Sequence, residues 1–412
     1  MNAKLQLAVI GAGIVGASCA LALRRRGHEV ALLDPEPPGS LTSAGNMALI
    51  ATSHITPFAL PGFWKQVPAM LADPLGPLAI SWRHMPALVP WLWRLLRASR
   101  PAEVVRISAA LAAAAAQAEP EWRALLGAHS ADALIRHEGL LFVYRNAAAM
   151  AQAAPEQDLR ARAGARVSRI GPEELRQMEP ALAPDLAGGY FFPDVAHVAD
   201  PRRVTEAVIA AYLAEGGTLE RQTVRAIEID SVGRPRLCLE SGARVFDRAV
   251  LAAGIWSPAL LRPLGIRVPL ESERGYHLML PDPGVRLGRP VGAGDHRFMM
   301  TPLDTGLRLG GTAEFAGIDA PPNWARADRF LEPARRYLPG LRGAGATRWM
   351  GHRPSTPDSL AVIGTAPGLK HVICAFGHGH LGLTQGAWTA RHVADLVDGA
   401  AAPAAFDPAR FG

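Results

Sequence analysis

Cysteine is scarce in this sequence. Three occur in 412 residues (Cys19, Cys238 and Cys374), and none stands at a spacing that binds metal or forms a redox pair. Each sits in an apolar stretch, so all three read as buried structural thiols in a reducing compartment. Charge is also thin: 19% of residues are charged, and 43 basic against 37 acidic side chains leave a net +6. The arginines are spread along the chain without a basic block that would track phosphates, which argues against a nucleic-acid partner. Contact of a basic surface with anionic lipid stays open. No apolar run is long enough to span a bilayer, and the tryptophan- and leucine-rich stretch 82–96 is broken by Pro86 and Pro90. The first apolar strand begins too near the N-terminus for a signal peptide, so a cytoplasmic protein is expected, at most peripheral at the inner face of the membrane. No internal repeat is present. What is there, 49% hydrophobic residues over 412 positions, makes a globular chain long enough for two domains.

The stretch around which the chain is organised lies at its start. An apolar run from Leu5 to Ile10 enters Gly11-Ala12-Gly13-Ile14-Val15-Gly16, a small-residue helix follows to Arg26, and a second strand (29–33) stops at Asp34. Strand, GxGxxG, helix, strand and acid are the parts of a dinucleotide-binding unit. Gly11 makes the tight turn, Gly13 lets the backbone approach a pyrophosphate, and Gly16 lets helix and strand pack closely. Asp34 would hold a ribose diol and disfavours a 2′-phosphate, leaving NAD and FAD.

Further along, residues 63–100 read as helical, with Trp64, Trp82, Trp91 and Trp93 at packing positions, and 108–126 as an alanine-rich helix. Residues 135–144 read as a strand and 147–163 as a helix. Residues 188–192, 218–220, 224–230, 236–239 and 245–252 read as strands. Asp200 would cap a helix beginning at Pro201. Residues 298–302 and 306–311 form a hairpin, and short strands at 360–364 and 371–374 precede a glycine- and histidine-rich turn (377–382) and a closing helix (383–397). The expected fold class is α/β. Residues 1–62, 146–262 and 346–412 form a discontinuous Rossmann-like nucleotide domain, and 63–145 with 263–345 form a second, α+β domain on a mixed sheet.

At this point the chain resembles the D-amino-acid oxidase-like family of FAD-dependent oxidoreductases, closest to the bacterial D-amino-acid (D-hydroxyproline-type) dehydrogenases. The resemblance covers essentially the whole chain. It rests on VIGAGIVG (9–16), TSAGN (42–46), FALPG (58–62), VLAAGIWS (250–257), ERGYH (273–277), GHRPSTPD (351–358) and GHGHLG (377–382). It implies FAD, held non-covalently. By resemblance the cofactor would be held by Gly11, Gly13, Ile14, Val15, Gly16 and Asp34. Ser43, Asn46, Met47 and Ala48 would wrap ribityl and flavin, and Val224 would contact the adenine. Ala253 and Gly254 follow the second glycine-marked strand end, and Gly377, Gly379, His380, Leu381, Gly382, Leu383 and Thr384 would lie along the flavin edge.

The resemblance also implies oxidation of a D-amino or cyclic imino acid by hydride transfer from Cα, with a quinone or other non-oxygen acceptor. Arg353 would bind the substrate carboxylate through its planar fork; the alternative is a structural ion pair with Asp358. Tyr276 would support the same carboxylate; the alternative is strand packing. His378 joins them as a catalytic candidate. His54 and His352 are candidates for the substrate pocket, as His84 and His277 are for the pocket or a proton relay. No metal site is expected, because no further Cys, His or acid cluster joins His378 and His380. His380 stands where threonine is more usual, a feature that resembles the hydroxyproline-type branch. The rival readings are an oxygen-using amine oxidase of the glycine or sarcosine type, the flavin subunit of a larger dehydrogenase complex, and an NAD-binding regulatory module.

Overall fold

The computed structural model describes residues 4–65 and 67–412; residues 1–3 and Gln66, which fall within segments assigned above, lie outside that set. β1 (Gln6–Ile10), α1 (Ile14–Arg25) and β2 (Glu29–Leu33) form where the sequence places them. Side chains of β1 alternate. Leu7 and Val9 pack among helices, while Ala8 and Ile10 point into the opposite layer. All four are buried, as a central parallel strand requires. The strand order is Thr218–Glu220, β2, β1, Arg248–Leu251, Leu369–Phe376, Val362–Ala366. The first five are parallel and the last is antiparallel. α1 and the helices Pro201–Ala214 and Gly382–Val397 share the core on one face. A three-stranded antiparallel sheet (Val224–Ile229, Pro235–Leu239, Gly242–Val245) shares the core on the other. Asp200 caps the Pro201–Ala214 helix by accepting from the Arg202 amide at 2.8 Å.

The second unit is a mixed ten-stranded sheet. Its longest strand, Glu271–Leu280, pairs along one edge with Thr347–Ser355 and along the other with Gly306–Gly310 and Ala313–Phe315. Three strands whose residues fall in the segments assigned above to the nucleotide domain lie here instead: Ser168–Ile170, Gly188–Phe192 and Thr347–Ser355, of which only 188–192 was expected as a strand. The apolar strand Leu140–Tyr144 needs hydrogen-bond partners on both edges. It finds Val291–Ala293 on one and Gly188–Phe192 on the other. Thr347–Ser355 has no apolar alternation of its own and becomes a strand by pairing with its long neighbour.

Other differences have local causes. Residues 63–100 are not helical throughout. They hold a 3-10 turn at Phe63–Lys65, the helix Val67–Leu71, the strand Leu78–Ile80 and the helix Met85–Ala98. Pro74 and Pro77 prevent a continuous helix. Of the four tryptophans expected to pack there, Trp91 is buried and Trp64, Trp82 and Trp93 are exposed. The 135–144 strand divides at Gly139 (φ +74°), where a Cβ would meet the Phe191 ring at 2.4 Å. Cys19 and Cys374 are buried, but Cys238 is only half-buried.

Helix and strand approach closely at the β1–α1 turn. A Cβ on Gly16 would stand 1.8 Å from the Gly11 carbonyl oxygen. Gly16→Ala therefore forces helix and strand apart and is expected to cost about 2–4 kcal/mol of unfolding free energy. Urea unfolding measures this, and a loss under about 0.5 kcal/mol would show that the turn relaxes freely.

Candidate functional site

A cavity of about 1860 Å³ extends from the β1–α1 turn to the ten-stranded sheet. It is nearly twice the roughly 1,000 Å³ upper end of ordinary small-molecule pockets, so a dinucleotide and a small substrate fit together. At the turn Gly11 has φ +104° and its amide donates to the Leu33 carbonyl at 2.8 Å. The Ala12 amide donates to Asp34 Oδ2 at 2.6 Å, and the Ile14 amide to Ser43 Oγ at 2.9 Å. Burial pushes the Asp34 carboxyl up, against the pull of the Ala12 and Glu36 amides. A Cβ on Gly13 would stand 3.2 Å from Ser43 Oγ, so a side chain here would fill the cradle where the α1 N-terminus meets the cavity.

Most of the expected cofactor positions line this cavity. Gly11, Gly13, Ile14, Val15 and Asp34 do so at the turn, with Ser43, Asn46, Met47 and Val224 beside them. Ala253, Gly254, Gly377, Gly379, His380, Leu381, Gly382 and Leu383 continue the lining. Gly16, Ala48 and Thr384 act behind it. Gly16 is buried against the turn. Ala48 is fully buried at φ +61°, and its amide donates to Asn46 Oδ1 at 2.7 Å. Thr384 Oγ1 accepts from the Ala51 amide at 3.0 Å and ties the closing helix to the 49–51 segment.

The opposite wall is built by strand alternation. Glu273 faces Arg353 across the 271–280 and 347–355 strands, and His277 faces Trp349 in the same register. Gly275 and Gly351 stand between them. A Cβ on Gly275 would lie 2.3 Å from Arg353 Nη2, and one on Gly351 would lie 2.2 Å from the Trp349 ring. The missing side chains thus let arginine and indole lie flat along the wall. Trp349 stacks on His277 with centroids 4.8 Å apart at 12°.

Tyr276 must be corrected. Alternation sends its side chain to the other face of the strand, with Arg274. Its hydroxyl donates to Glu314 Oε2 at 2.6 Å and accepts from the Asn323 amide at 3.1 Å. Burial pushes that phenol up to about 12. Tyr276 borders the cavity, but its hydroxyl is engaged in this buried pair and the packing alternative holds. The Asp358 alternative for Arg353 does not hold, because Asp358 pairs with Arg410 at 2.8 Å. Arg353 Nη1 instead donates to Glu273 Oε1 at 3.1 Å and to the Thr312 carbonyl at 2.9 Å. Its Nε and Nη2 have no hydrogen-bond partner among the described residues.

Glu273, which was not singled out as a site residue, joins this wall to the 377–382 turn. It is 2% exposed. Its carboxylate accepts from Arg353, from Ser355 Oγ at 2.9 Å and from His380 Nε2 at 2.7 Å. Burial disfavours the charge, but His380 and Arg353 outweigh it and hold the carboxyl down at about 2. The strand's alternation was the available signal: it places residue 273 on the same face as 275 and 277.

The histidines separate by partner. His54 lies parallel to His380, centroids 6.0 Å apart, and burial pushes it down to about 3. His378 lines the cavity, but its Nε2 is bonded to Thr389 Oγ1 at 2.9 Å and burial pushes it down to about 3. It braces the turn and is corrected from a catalytic to a structural position. His352 Nδ1 is bonded to Ser272 Oγ at 2.8 Å and its ring borders the cavity. His84 pairs with Glu271 at 2.9 Å, outside the cavity lining. No group of three or more His, Cys, Asp or Glu among the described residues could hold a metal ion.

The sequence profile of the FAD-dependent oxidoreductase (DAO) family matches residues 6–396. The chain belongs to this family. It is an FAD-dependent oxidoreductase, and the cavity with its glycine cradle and Asp34 fits that cofactor. A D-amino-acid oxidase of Bradyrhizobium diazoefficiens is 35% identical over 98% of both chains. A D-amino acid dehydrogenase of Paramagnetospirillum magneticum is 34% identical over 96% of this chain and 95% of its own. The fold matches that of glycine oxidase from Geobacillus kaustophilus, with TM-score 0.72 and 21% identity over 100% of this chain and 98% of that one. Iminodiacetate oxidase from Chelativorans sp. BNC1 superposes equally well, with TM-score 0.72 and 22% identity over 98% of each chain.

Two outcomes test the site's electrostatics. Glu273→Ala strands Arg353 at a largely buried position and is expected to cost about 3 kcal/mol of unfolding free energy, measured by denaturant titration. A loss below about 1 kcal/mol would mean that water replaces the carboxylate. His277 and His378 are buried and His54 is half-buried; burial pushes each from the ordinary 6.5 down to about 3. The unfolded chain therefore binds more protons below pH 6.5, so stability falls on acidification, by about 2 kcal/mol per histidine between pH 7 and 5. Unfolding curves flat across that interval would contradict their burial as neutral rings.

Proposed function

We propose that the protein is a D-amino-acid dehydrogenase that oxidises a D-amino or cyclic imino acid, of the D-hydroxyproline type, to its imine. The observation that carries this reading is the Arg353 guanidinium. It is anchored through Nη1 and borders the cavity, and its Nε and Nη2 have no partner among the described residues. Those two donors form the flat edge that accepts a carboxylate in a bidentate pair. Beside it His54, His380 and Phe58 form a ring-lined wall suited to a small or cyclic side chain. The names of the two relatives at 35% and 34% identity support an amino-acid substrate of D configuration.

Bound FAD supplies the two-electron acceptor for the Cα hydride. The chain's own part is orientation: Arg353 fixes the carboxylate, and Glu273 fixes Arg353. Among the described residues no cysteine lines the cavity, which supports a non-covalent cofactor. A quinone is the favoured final acceptor. The name of the Bradyrhizobium relative favours a second reading, in which oxygen takes the electrons.

The test is anaerobic addition of D-proline, cis-4-hydroxy-D-proline and D-alanine, each beside its L-form, to the flavin-loaded protein. Bleaching by a D-form alone supports the reading, and bleaching by none of them removes it. Arg353→Ala is expected to raise KM about 100-fold with FAD retained, as for loss of a charge-assisted bidentate pair, while an unchanged KM would remove Arg353 from the site. Peroxide release against dye reduction separates the two acceptors.

A further inference from the structure

The Met85–Ala98 helix is apolar on two opposite faces. Leu88, Trp91 and Leu95 are buried in a satellite core, and Ala98 in the main core. On the other side Val89, Trp93 and Leu96 recur at i, i+4 and i+7 and are 53%, 60% and 47% exposed. Trp82, just before the helix, is 80% exposed, and Trp64 is 58% exposed. A helix with two apolar faces is normally covered on both, and this one is covered on a single side.

Cations rim the bare face. Arg83, Arg94, Arg97 and Arg100 are exposed and enter no ion pair among the described residues. Lys65 lies over the Trp64 ring at 5.6 Å. Asp73 is the only acid between residues 64 and 102, and it already pairs with Arg329. These charges select the occupant. A second copy docking by two-fold symmetry would set this patch against itself, arginine facing arginine. An anionic lipid surface meets both features, with indoles at headgroup depth and arginines on the lipid phosphates. No helix among the described residues is long and apolar enough to cross a membrane, so the contact lies in the surface plane.

We infer that the outer face of the Met85–Ala98 helix, with Trp82 and Trp64, is a docking surface for anionic phospholipid membranes. The surface adjoins the cavity. Phe63 and Lys65, the neighbours of Trp64, line it, and Trp91 Nε1 donates to the carbonyl of Ser355 beside Glu273 at 3.0 Å. Docking holds that edge of the cavity toward the lipid phase. Its value for delivering an apolar quinone rests on the dehydrogenase reading, whereas the lipid contact does not.

The experiment is flotation of the flavin-loaded full chain with vesicles of mixed phosphatidylglycerol and phosphatidylcholine, against phosphatidylcholine alone. The expected result is at least about tenfold stronger binding to the anionic vesicles, weakened by high salt. It falls about tenfold in Trp82→Gln/Trp93→Gln and again in Arg94→Gln/Arg97→Gln, with dye-linked turnover unchanged. Absence of binding overturns the inference, as does binding that both variants retain. A dimer in solution that Trp82→Gln/Trp93→Gln dissociates overturns it too, because the patch would then be a subunit interface. Vesicle binding without D-amino-acid oxidation would remove the proposed function and leave the docking surface standing.

Discussion

A buried carboxylate holds the candidate site together. Glu273 belongs to the long strand of the ten-stranded sheet, Arg353 and Ser355 to the strand beside it, and His380 to the turn that leaves the six-stranded sheet. One side chain therefore fastens the two units at the cavity wall. An unpaired charge at that depth would be prohibitive, so the three donors are a condition of the arrangement. The bridge between Ser355 and His378 adds a backbone connection at the same place. The geometry of Arg353 depends on this junction, since its anchored nitrogen is fixed by Glu273 and by the Thr312 carbonyl.

What could be read from the sequence was what local chemistry dictates. The β1–α1–β2 unit was legible because Gly11 and Gly16 answer steric demands that only glycine meets, and because Asp34 ends a strand whose apolar run is unmistakable. Asp200 and Pro201 were legible as a cap for the same local reason. Arg353 was singled out by resemblance, not by any local pattern. Tyr276 was misread because residue type was weighed without the strand's period of two. Once Glu273 and His277 face the cavity, Tyr276 faces Glu314. Glu273 was overlooked because its partners lie about 80 and 107 positions further along the chain, and no local pattern carries that information. Thr347–Ser355 was missed for a related reason: its strand character comes from its neighbour.

The tryptophans of residues 64–93 show a different limit. Composition says that indoles are usually buried, and by that rule four were expected inside. The Met85–Ala98 helix has more apolar residues than one buried stripe can hold. Its spacing settles which are covered: Trp91 shares a face with Leu88 and Leu95, and Trp93 cannot. A sequence rich enough in large apolar groups to cover both sides of a helix signals a surface that meets something other than water.

The hydrogen bonding of Glu273 also bears on how a substrate can sit. Its two oxygens already accept from Arg353, Ser355 and His380. Little acceptor capacity remains for a substrate ammonium, although the carboxylate is the nearest anion to the Arg353 fork. A zwitterion anchored by its carboxylate therefore gains no strong counter-charge for its nitrogen on this wall. The neighbouring rings, with His54 and His277 held neutral by burial, favour the uncharged amine further. That is the protonation state the proposed oxidation requires, because a free lone pair on nitrogen would assist departure of the hydride from Cα. The wall thus separates two tasks by charge. On the proposed reading Arg353 would meet the carboxylate, and Glu273, with three of its roughly four acceptor positions already filled, offers the amine little that would keep it protonated.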